Sequence, residues 1–262
     1  MPKVAANLTM MFTDVPFADR FAAAAKAGFK SVEFLLPYDL PAEKVKELLD
    51  KNGLKVVLFN LPSGNWAGGD RGIGASPNRV EEFRTGVKKG VEYAKALGVP
   101  RINCLAGKMV AGFSREEHKK TLVENLKFSA DALGQIGVKQ IIEHINPFDI
   151  PGFLLNKVQD VLDVMAEVQR PNLGVQYDIY HAQRTEGNLV QILREHFAQI
   201  DHIQIADNPG RHQPGTGEIN FPFVFAEMDK LGFKGYVGLE YVPAPDTLKS
   251  LGWIKEYGCQ LA

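Results

Sequence analysis

Four residues with side-chain oxygen donors lie at or near the ends of short apolar runs in the second half of the chain. Glu143 follows Ile141-Ile142, Asp178 follows Val175-Gln176-Tyr177, Gln204 stands between Ile203 and Ile205, and Glu240 follows Val237-Gly238-Leu239. Three carboxylates brought together in a water-poor pocket repel one another and lose hydration, so they must take up protons or share a cation. The cation is the simpler solution. Three carboxylates and one amide carbonyl suit a hard divalent ion such as Mg²⁺ or Mn²⁺, whereas zinc favours His and Cys. Any one of the four alone could be an ordinary strand-end polar residue or half of a surface ion pair; the chemistry rests on all four placements agreeing.

That agreement needs a frame in which successive strands end at one place. Glycines supply the punctuation: Gly28 precedes Phe29–Glu33, Gly53 precedes Leu54–Leu58, Gly137 precedes Val138–Ile142, and Gly98 and Gly232 open similar runs. Each reads as a helix stopped by a left-handed residue and followed by a strand. The segments before them carry helical periodicity, as in Phe17-Phe21-Ala24-Ala25, Val45-Leu48-Leu49 and Leu122-Leu126-Phe128-Leu133. Ser76-Pro77 reads as an N-cap with proline at the first helical position, and Ser114 with Glu117 reads as a capping box. The pattern predicts eight strands, at about 5–10, 31–34, 55–59, 101–105, 140–143, 173–178, 200–205 and 236–240, each followed by a helix. Short apolar strands alternating with amphipathic helices imply parallel pairing through right-handed crossovers, and eight such units close into an α/β fold of the (β/α)₈ TIM barrel type. An open doubly wound sheet is the runner-up. It usually places a glycine-rich phosphate loop after its first strand, and here Thr13-Asp14-Val15-Pro16 follows instead. In a barrel the four donors fall on strands five to eight, at the carboxyl-end face where chemistry is done.

The chain has 262 residues, 45% hydrophobic and 23% charged, which excludes disordered and fibrous classes. No linker or low-complexity stretch divides it, so residues 1–262 are expected to form one barrel domain. A net charge of -1 offers no field for nucleic acid or anionic lipid. Cys104 and Cys259 are too far apart in sequence for a paired zinc motif and too few for a disulfide framework, which suits a cytoplasmic protein. No run approaches the roughly 18 apolar residues of a membrane span.

Several longer stretches carry a resemblance. Ile142-Glu143-His144-Ile145-Asn146, Gln176-Tyr177-Asp178-Ile179-Tyr180-His181, Gln204-Ile205-Ala206-Asp207-Asn208-Pro209-Gly210-Arg211 and Pro214-Gly215-Thr216-Gly217-Glu218-Ile219-Asn220 resemble the hydroxypyruvate isomerase family, as do Asn60-Leu61-Pro62 and Trp66–Gly72. The resemblance implies a xylose isomerase-like barrel, Glu143 and Glu240 as the catalytic pair, and Glu143, Asp178, Gln204 and Glu240 as the metal position. It also implies interconversion of hydroxypyruvate and tartronate semialdehyde, a carbonyl shift through an enediolate that needs an acid and a base but no nicotinamide. One departure is His144, where many relatives carry proline; strand alternation turns it away from the metal position.

A hydroxy-keto acid substrate needs a cation for its carboxylate. Arg211, in the loop after strand seven, is the first candidate because a guanidinium can bind a carboxylate through two parallel hydrogen bonds; Lys108, after strand four, is the second. His181, three residues after Asp178, could bring a neutral imidazole to the substrate hydroxyl. Arg71 belongs to a glycine-rich loop from Asn60 to Ser76 that reads as a flexible lid carrying Trp66. Each has a plainer reading as a loop cation, a structural histidine or an inert loop. Glu33, at the end of strand two, is left outside this set, and Glu218 is read as shaping a turn.

A 2-oxo-tetronate isomerase or a ketose epimerase would use the same acid/base pair. A zinc-dependent endonuclease fits less well, because His118 and His196 fall within helices and the charge is near neutral. A barrel that binds without turnover would show ligand affinity and no need for Glu143. Trp253 and Tyr257 would either pack the last helix or sit at a homo-oligomer interface.

Overall fold

The computed structural model describes residues 2–261. Eight strands are β1 (Lys3–Asn7), β2 (Ser31–Glu33), β3 (Lys55–Asn60), β4 (Arg101–Cys104), β5 (Lys139–Glu143), β6 (Leu173–Asp178), β7 (Ile200–Ile205) and β8 (Tyr236–Leu239). All pair in parallel with their sequence neighbours, and β1 pairs with both β2 and β8, so the sheet closes as a barrel. A short ninth strand, β9 (Gln260–Leu261), lies alongside β1. The helices are α1 (Phe17–Lys26), α2 (Ala42–Lys51), α3 (Val80–Leu97), α4 (Arg115–Gly134), α5 (Val158–Val168), α6 (Ile179–Thr185), α7 (Leu189–His196), α8 (Phe221–Lys230) and α9 (Gly252–Glu256). None of them is long and apolar enough to cross a membrane.

The helices lay down the stripes that their periodicity predicts: Phe21 and Ala24 from α1, Val45 and Leu49 from α2, and Leu122, Leu126 and Leu133 from α4 are all buried. Each large apolar side chain removed from water contributes about 1.5–3 kcal/mol, which holds the helical layer on the barrel. Ala5, Val57, Leu58 and Ile141 form a separate, smaller apolar cluster. The capping box of α4 is present, with Ser114 and Glu117 satisfying each other's backbone N–H groups.

Two details differ from the sequence reading. The first strand ends at Asn7 rather than Met10, because the Asn7 carbonyl accepts from the Met10 and Met11 N–H groups and its side chain accepts from Thr9, which turns the chain out of the sheet. Ser76 does not cap α3; a 3₁₀ turn, Pro77–Arg79, intervenes, and the Ser76 side chain makes no capping bond. Trp253 is buried, its ring 5.9 Å from Phe225 and 6.1 Å from Tyr257, so these aromatics pack the last helix.

Candidate active site

Register brings the four donors into one group. Asp178 lies opposite Gln204 and Gln204 opposite Gly238, one residue ahead of Leu239 and two ahead of Glu240, while Glu143 lies opposite Gln176 on the neighbouring strand. Glu143, Gln204 and Glu240 line a cavity of about 500 Å³ at the carboxyl ends of the strands, with Glu33, His181, Arg211, Trp66 and Arg71 among its other walls, while Asp178 is buried beside it and is not a wall residue.

Each donor is held differently. Glu143 Oε2 accepts from Asn103 Nδ2 at 3.1 Å. Asp178 caps α6: its Oδ1 accepts from the Tyr180 and His181 N–H groups at 2.8 and 3.4 Å, which leaves Oδ2 buried and without a hydrogen-bond partner. Gln204 Nε2 donates to Glu33 Oε1 at 2.7 Å, and its Oε1 accepts from Gln176 Nε2 at 2.5 Å. Glu240 Oε2 accepts from Arg211 Nη2 at 3.2 Å.

Burial and mutual repulsion raise the proton affinity of the cluster. Burial, with Glu240 and Asp178 nearby, holds the Glu143 carboxyl well above the usual range. Burial also pushes Glu240 up to about 8 and raises Asp178, both opposed by the charge of Arg211. A cation among these groups would compensate both causes at once. The orphaned Asp178 Oδ2 supplies the direct sign of fit, since a buried carboxylate oxygen without a partner costs free energy that a coordinated ion would recover. One ligand atom each from Glu143, Asp178 and His181 lies within 4.8 Å of the others, and of these the two carboxylates keep free lone pairs, because Asn146 occupies the imidazole nitrogen that lacks the proton.

His181 is oriented by Asn146. Asn146 Oδ1 accepts from the Phe148 and Asp149 N–H groups, which fixes the amide, and its Nδ2 therefore donates to His181 Nδ1 at 2.7 Å. The imidazole proton then sits on Nε2, 3.6 Å from Asp178 Oδ2. Burial and the charge of Arg211 keep this ring well below the usual histidine range, so it is neutral.

Arg211 is placed by an ordered loop. Asp207 accepts hydrogen bonds from the backbone N–H groups of Asn208, Gly215, Thr216, Gly217 and Ile219, closing the segment after β7 around one carboxylate. Arg211 itself adopts φ 54°, a left-handed conformation costly for a side chain, and its guanidinium lies 5.0 Å over the Tyr180 ring with Nε unpartnered. The same loop is fastened to the one after β8: the Arg211 carbonyl accepts from Val242 N–H at 2.8 Å, His212 Nδ1 donates to the Val242 carbonyl, and Gln213 bonds Ala244 through both amide atoms.

The remaining residues are distributed unequally. Arg71 lines the cavity, stacked 4.4 Å from Trp66, and donates to the Trp66 and Asp70 carbonyls. Lys108 is not among the cavity-lining residues; its amino group lies near Gly69. The 60–76 loop is anchored rather than slack, with Asp70 paired to Arg79 at 2.8 Å and Ala75 N–H bonded to the Ala106 carbonyl. His144 is buried against Tyr177, rings 5.9 Å apart, and does not line the cavity; burial pushes it down to about 3. Glu218 bonds Asn208 and Gln183, joining the β7 loop to α6. The sequence reading left out Glu33, Asn103, Asn146, Gln176 and Asp207. For Glu33 the signal was present: a carboxylate ending a strand, on the same footing as Glu143.

The geometry can be set beside known proteins. Residues 21–257 match the family described as xylose isomerase-like TIM barrel. The chain is 47% identical over 257 residues to the hydroxypyruvate isomerase of Escherichia coli, covering 98% of this chain and 100% of that one. It is 46% identical over 257 residues to the 2-oxo-tetronate isomerase of Haemophilus influenzae, again over 98% and 100% of the two chains. A crystal structure titled AP endonuclease, family 2, from Brucella melitensis superposes with a TM-score of 0.95 at 39% identity, covering 98% of this chain and 99% of the other. Closed barrel, converging strand-end donors and full-length likeness agree: the chain belongs to the xylose isomerase-like TIM barrel family.

Proposed function

We propose that this protein is an aldose–ketose type isomerase that interconverts hydroxypyruvate and tartronate semialdehyde by proton transfer through an enediolate. The observation that carries the reading is a pair of buried carboxyls with raised proton affinity, Glu143 and Glu240, facing one cavity beside Arg211. A carboxyl tuned towards working pH can be ionised as a base and protonated as an acid in the same cycle. One of the pair takes a proton from the hydroxymethyl carbon of hydroxypyruvate and the other returns a proton to the former carbonyl carbon, while the hydroxyl proton of the first carbon passes to the former carbonyl oxygen, leaving an aldehyde beside a hydroxyl-bearing carbon.

Glu143, Asp178, Gln204 and Glu240 would hold a divalent cation, Mg²⁺ or Mn²⁺. When bound, the cation supplies positive charge against the negative charge of the enediolate. Arg211 would pair with the substrate carboxylate, and Arg71 would approach it from the 60–76 loop. Lys108, set away from the cavity walls, has the weaker geometry for that role. His181 acts as a donor through its Nε2–H, because Nδ1 is engaged by Asn146. No step transfers hydride, so no nicotinamide enters. The whole chain 1–262 would act as one barrel domain, and two free, buried cysteines suit a reducing cytoplasm.

A second reading keeps the chemistry and lengthens the substrate. A cavity of about 500 Å³ has room beyond a three-carbon acid, and a relative named 2-oxo-tetronate isomerase is equally similar to this chain. The test is turnover of hydroxypyruvate, 2-oxo-tetronates and a neutral ketose by chelator-treated protein, with and without Mg²⁺ or Mn²⁺, followed by proton NMR in D₂O. Cation-stimulated conversion with solvent deuterium in the product, abolished in Glu143→Gln and Glu240→Gln, is expected. Selective turnover of the tetronate installs the second reading; binding without turnover of any substrate refutes both.

A further inference from the structure

Within the barrel, beside Gln204, lies a polar group that the proton-transfer chemistry does not use. Glu33 is fully buried, and both its oxygens are occupied: Oε1 accepts from Asn7 Nδ2 at 2.9 Å and from Gln204 Nε2 at 2.7 Å, and Oε2 accepts from His202 Nε2 at 2.7 Å. Strand β8, which flanks β1 on the side away from β2, makes room for it with a glycine. A Cβ at Gly238 would stand 2.3 Å from each carboxylate oxygen.

Gln204 differs from its three carboxylate companions in having two unlike ends. With the oxygen outward it is a cation ligand; with the NH₂ outward it is a repulsive neighbour to any cation. Nothing in the shape of the side chain chooses between them, since the two ends are nearly isosteric. Glu33 chooses. A carboxylate only accepts, so the amide must turn its NH₂ towards Glu33 and its oxygen away, where Gln176 Nε2 reaches it. The reverse orientation would press the amide oxygen against a buried carboxylate.

We propose that Glu33, braced by Asn7 and His202, is a positioning residue that fixes the Gln204 amide with its oxygen available as a cation ligand. The inference rests on the reading that Glu143, Asp178, Gln204 and Glu240 hold a divalent ion. Outer partners of this kind typically change metal affinity by about 10- to 100-fold when replaced. Glu33→Gln keeps the size but offers Gln204 an amide that can pair with either of its ends, and Glu33→Asp keeps the charge but withdraws the carboxylate by one methylene.

The experiment titrates Mn²⁺ into chelator-treated protein and reads the free ion by electron paramagnetic resonance, with circular dichroism as the check on folding. Glu33→Gln and Glu33→Asp are each made in the natural sequence and in a Gln204→Met background. In the natural background each is expected to weaken Mn²⁺ about 10-fold or more; in the Gln204→Met background, where no amide remains to orient, the Asp variant should be neutral within about twofold. Equal losses in both backgrounds would show that Glu33 acts through charge or general packing and would overturn the inference. So would undiminished affinity in Glu33→Asp, which retains the charge and therefore stands if Glu33→Gln fails to fold. An unsubstituted protein that binds no Mn²⁺ overturns the cation reading and this inference with it, whereas normal binding with additive losses overturns this inference alone.

Discussion

If the carboxyl cluster holds a cation as proposed, withholding it leaves a conflict that pH should reveal. Without an ion, burial pushes the Glu240 carboxyl up to about 8 from the ordinary 4.5, opposed by Arg211 and reinforced by Asp178 and Glu33. A group whose folded-state pKa is raised stabilises the fold fully below its unfolded pKa, and that contribution is lost as pH rises through the folded value. Stability should therefore fall between pH 4.5 and pH 8, the window bounded by those two values. At about 1.4 kcal/mol per pH unit, the loss from this one group is on the order of 5 kcal/mol. The assay is urea unfolding from pH 5 to pH 9 with a chelator present, for the natural protein and Glu240→Gln, whose amide does not ionise. The natural protein is expected to decline across the window, Glu240→Gln to decline much less, and Mn²⁺ at about 100 times its Kd to restore about 2.7 kcal/mol. Parallel pH profiles for the two proteins in chelator would refute the reasoning, because they would mean that Glu240 pays no penalty for ionising where it stands.

Three further outcomes follow from the geometry. Arg211→Lys replaces a planar fork by a point charge and should raise KM for hydroxypyruvate roughly 10- to 100-fold in steady-state kinetics, with little change for a neutral ketose. Asp207→Ala leaves the loop of Arg211 without its central acceptor; chemical denaturation should show a loss of about 2–4 kcal/mol, and kcat/KM should fall although Asp207 touches no substrate. Gly238→Ala forces a methyl group against both oxygens of Glu33 and should cost about 1–3 kcal/mol in the same denaturation assay, whereas the same change at Gly53, where a Cβ meets nothing, should act only through its left-handed backbone.

The barrel was legible because its signals are local. A glycine after a helix and an apolar run after the glycine recur along the chain, and β6 and β7 fall where the sequence places them. The first strand was read too long because Met10 and Met11 look like strand residues; what ends the strand is the turn bonded back to Asn7, which hydropathy does not record. The positions of Glu143, Asp178, Gln204 and Glu240 at or near strand ends are legible for the same reason as the strands. Glu33 satisfied that rule too, yet its contacts with Asn7, His202 and Gln204 span up to 171 positions and exist only once the barrel closes. Asp207 shows no role in the sequence, since five N–H groups converging on one carboxylate is a property of a folded loop. Lys108 shows the converse: a cation after strand four has the right place in sequence, but the chain there turns it towards Gly69 instead of the cavity.

The bonds that fasten the β7 loop to the β8 loop divide the cavity into two unlike sides. Arg211 and Glu240 sit on segments joined by backbone and side-chain bonds, so neither can shift far without the other, and the spacing between the guanidinium and the carboxyl behaves as a fixed ruler. Trp66 and Arg71 stand on a separate loop, anchored through Asp70, Arg79 and the strand-four side of the barrel. Substitutions in that loop can lengthen or shorten the space for the far end of a substrate while the ruler stays set. On the proposed chemistry, substrates that differ by one carbon would be reached from one barrel by changing one wall, with the spacing of Arg211 and Glu240 left untouched.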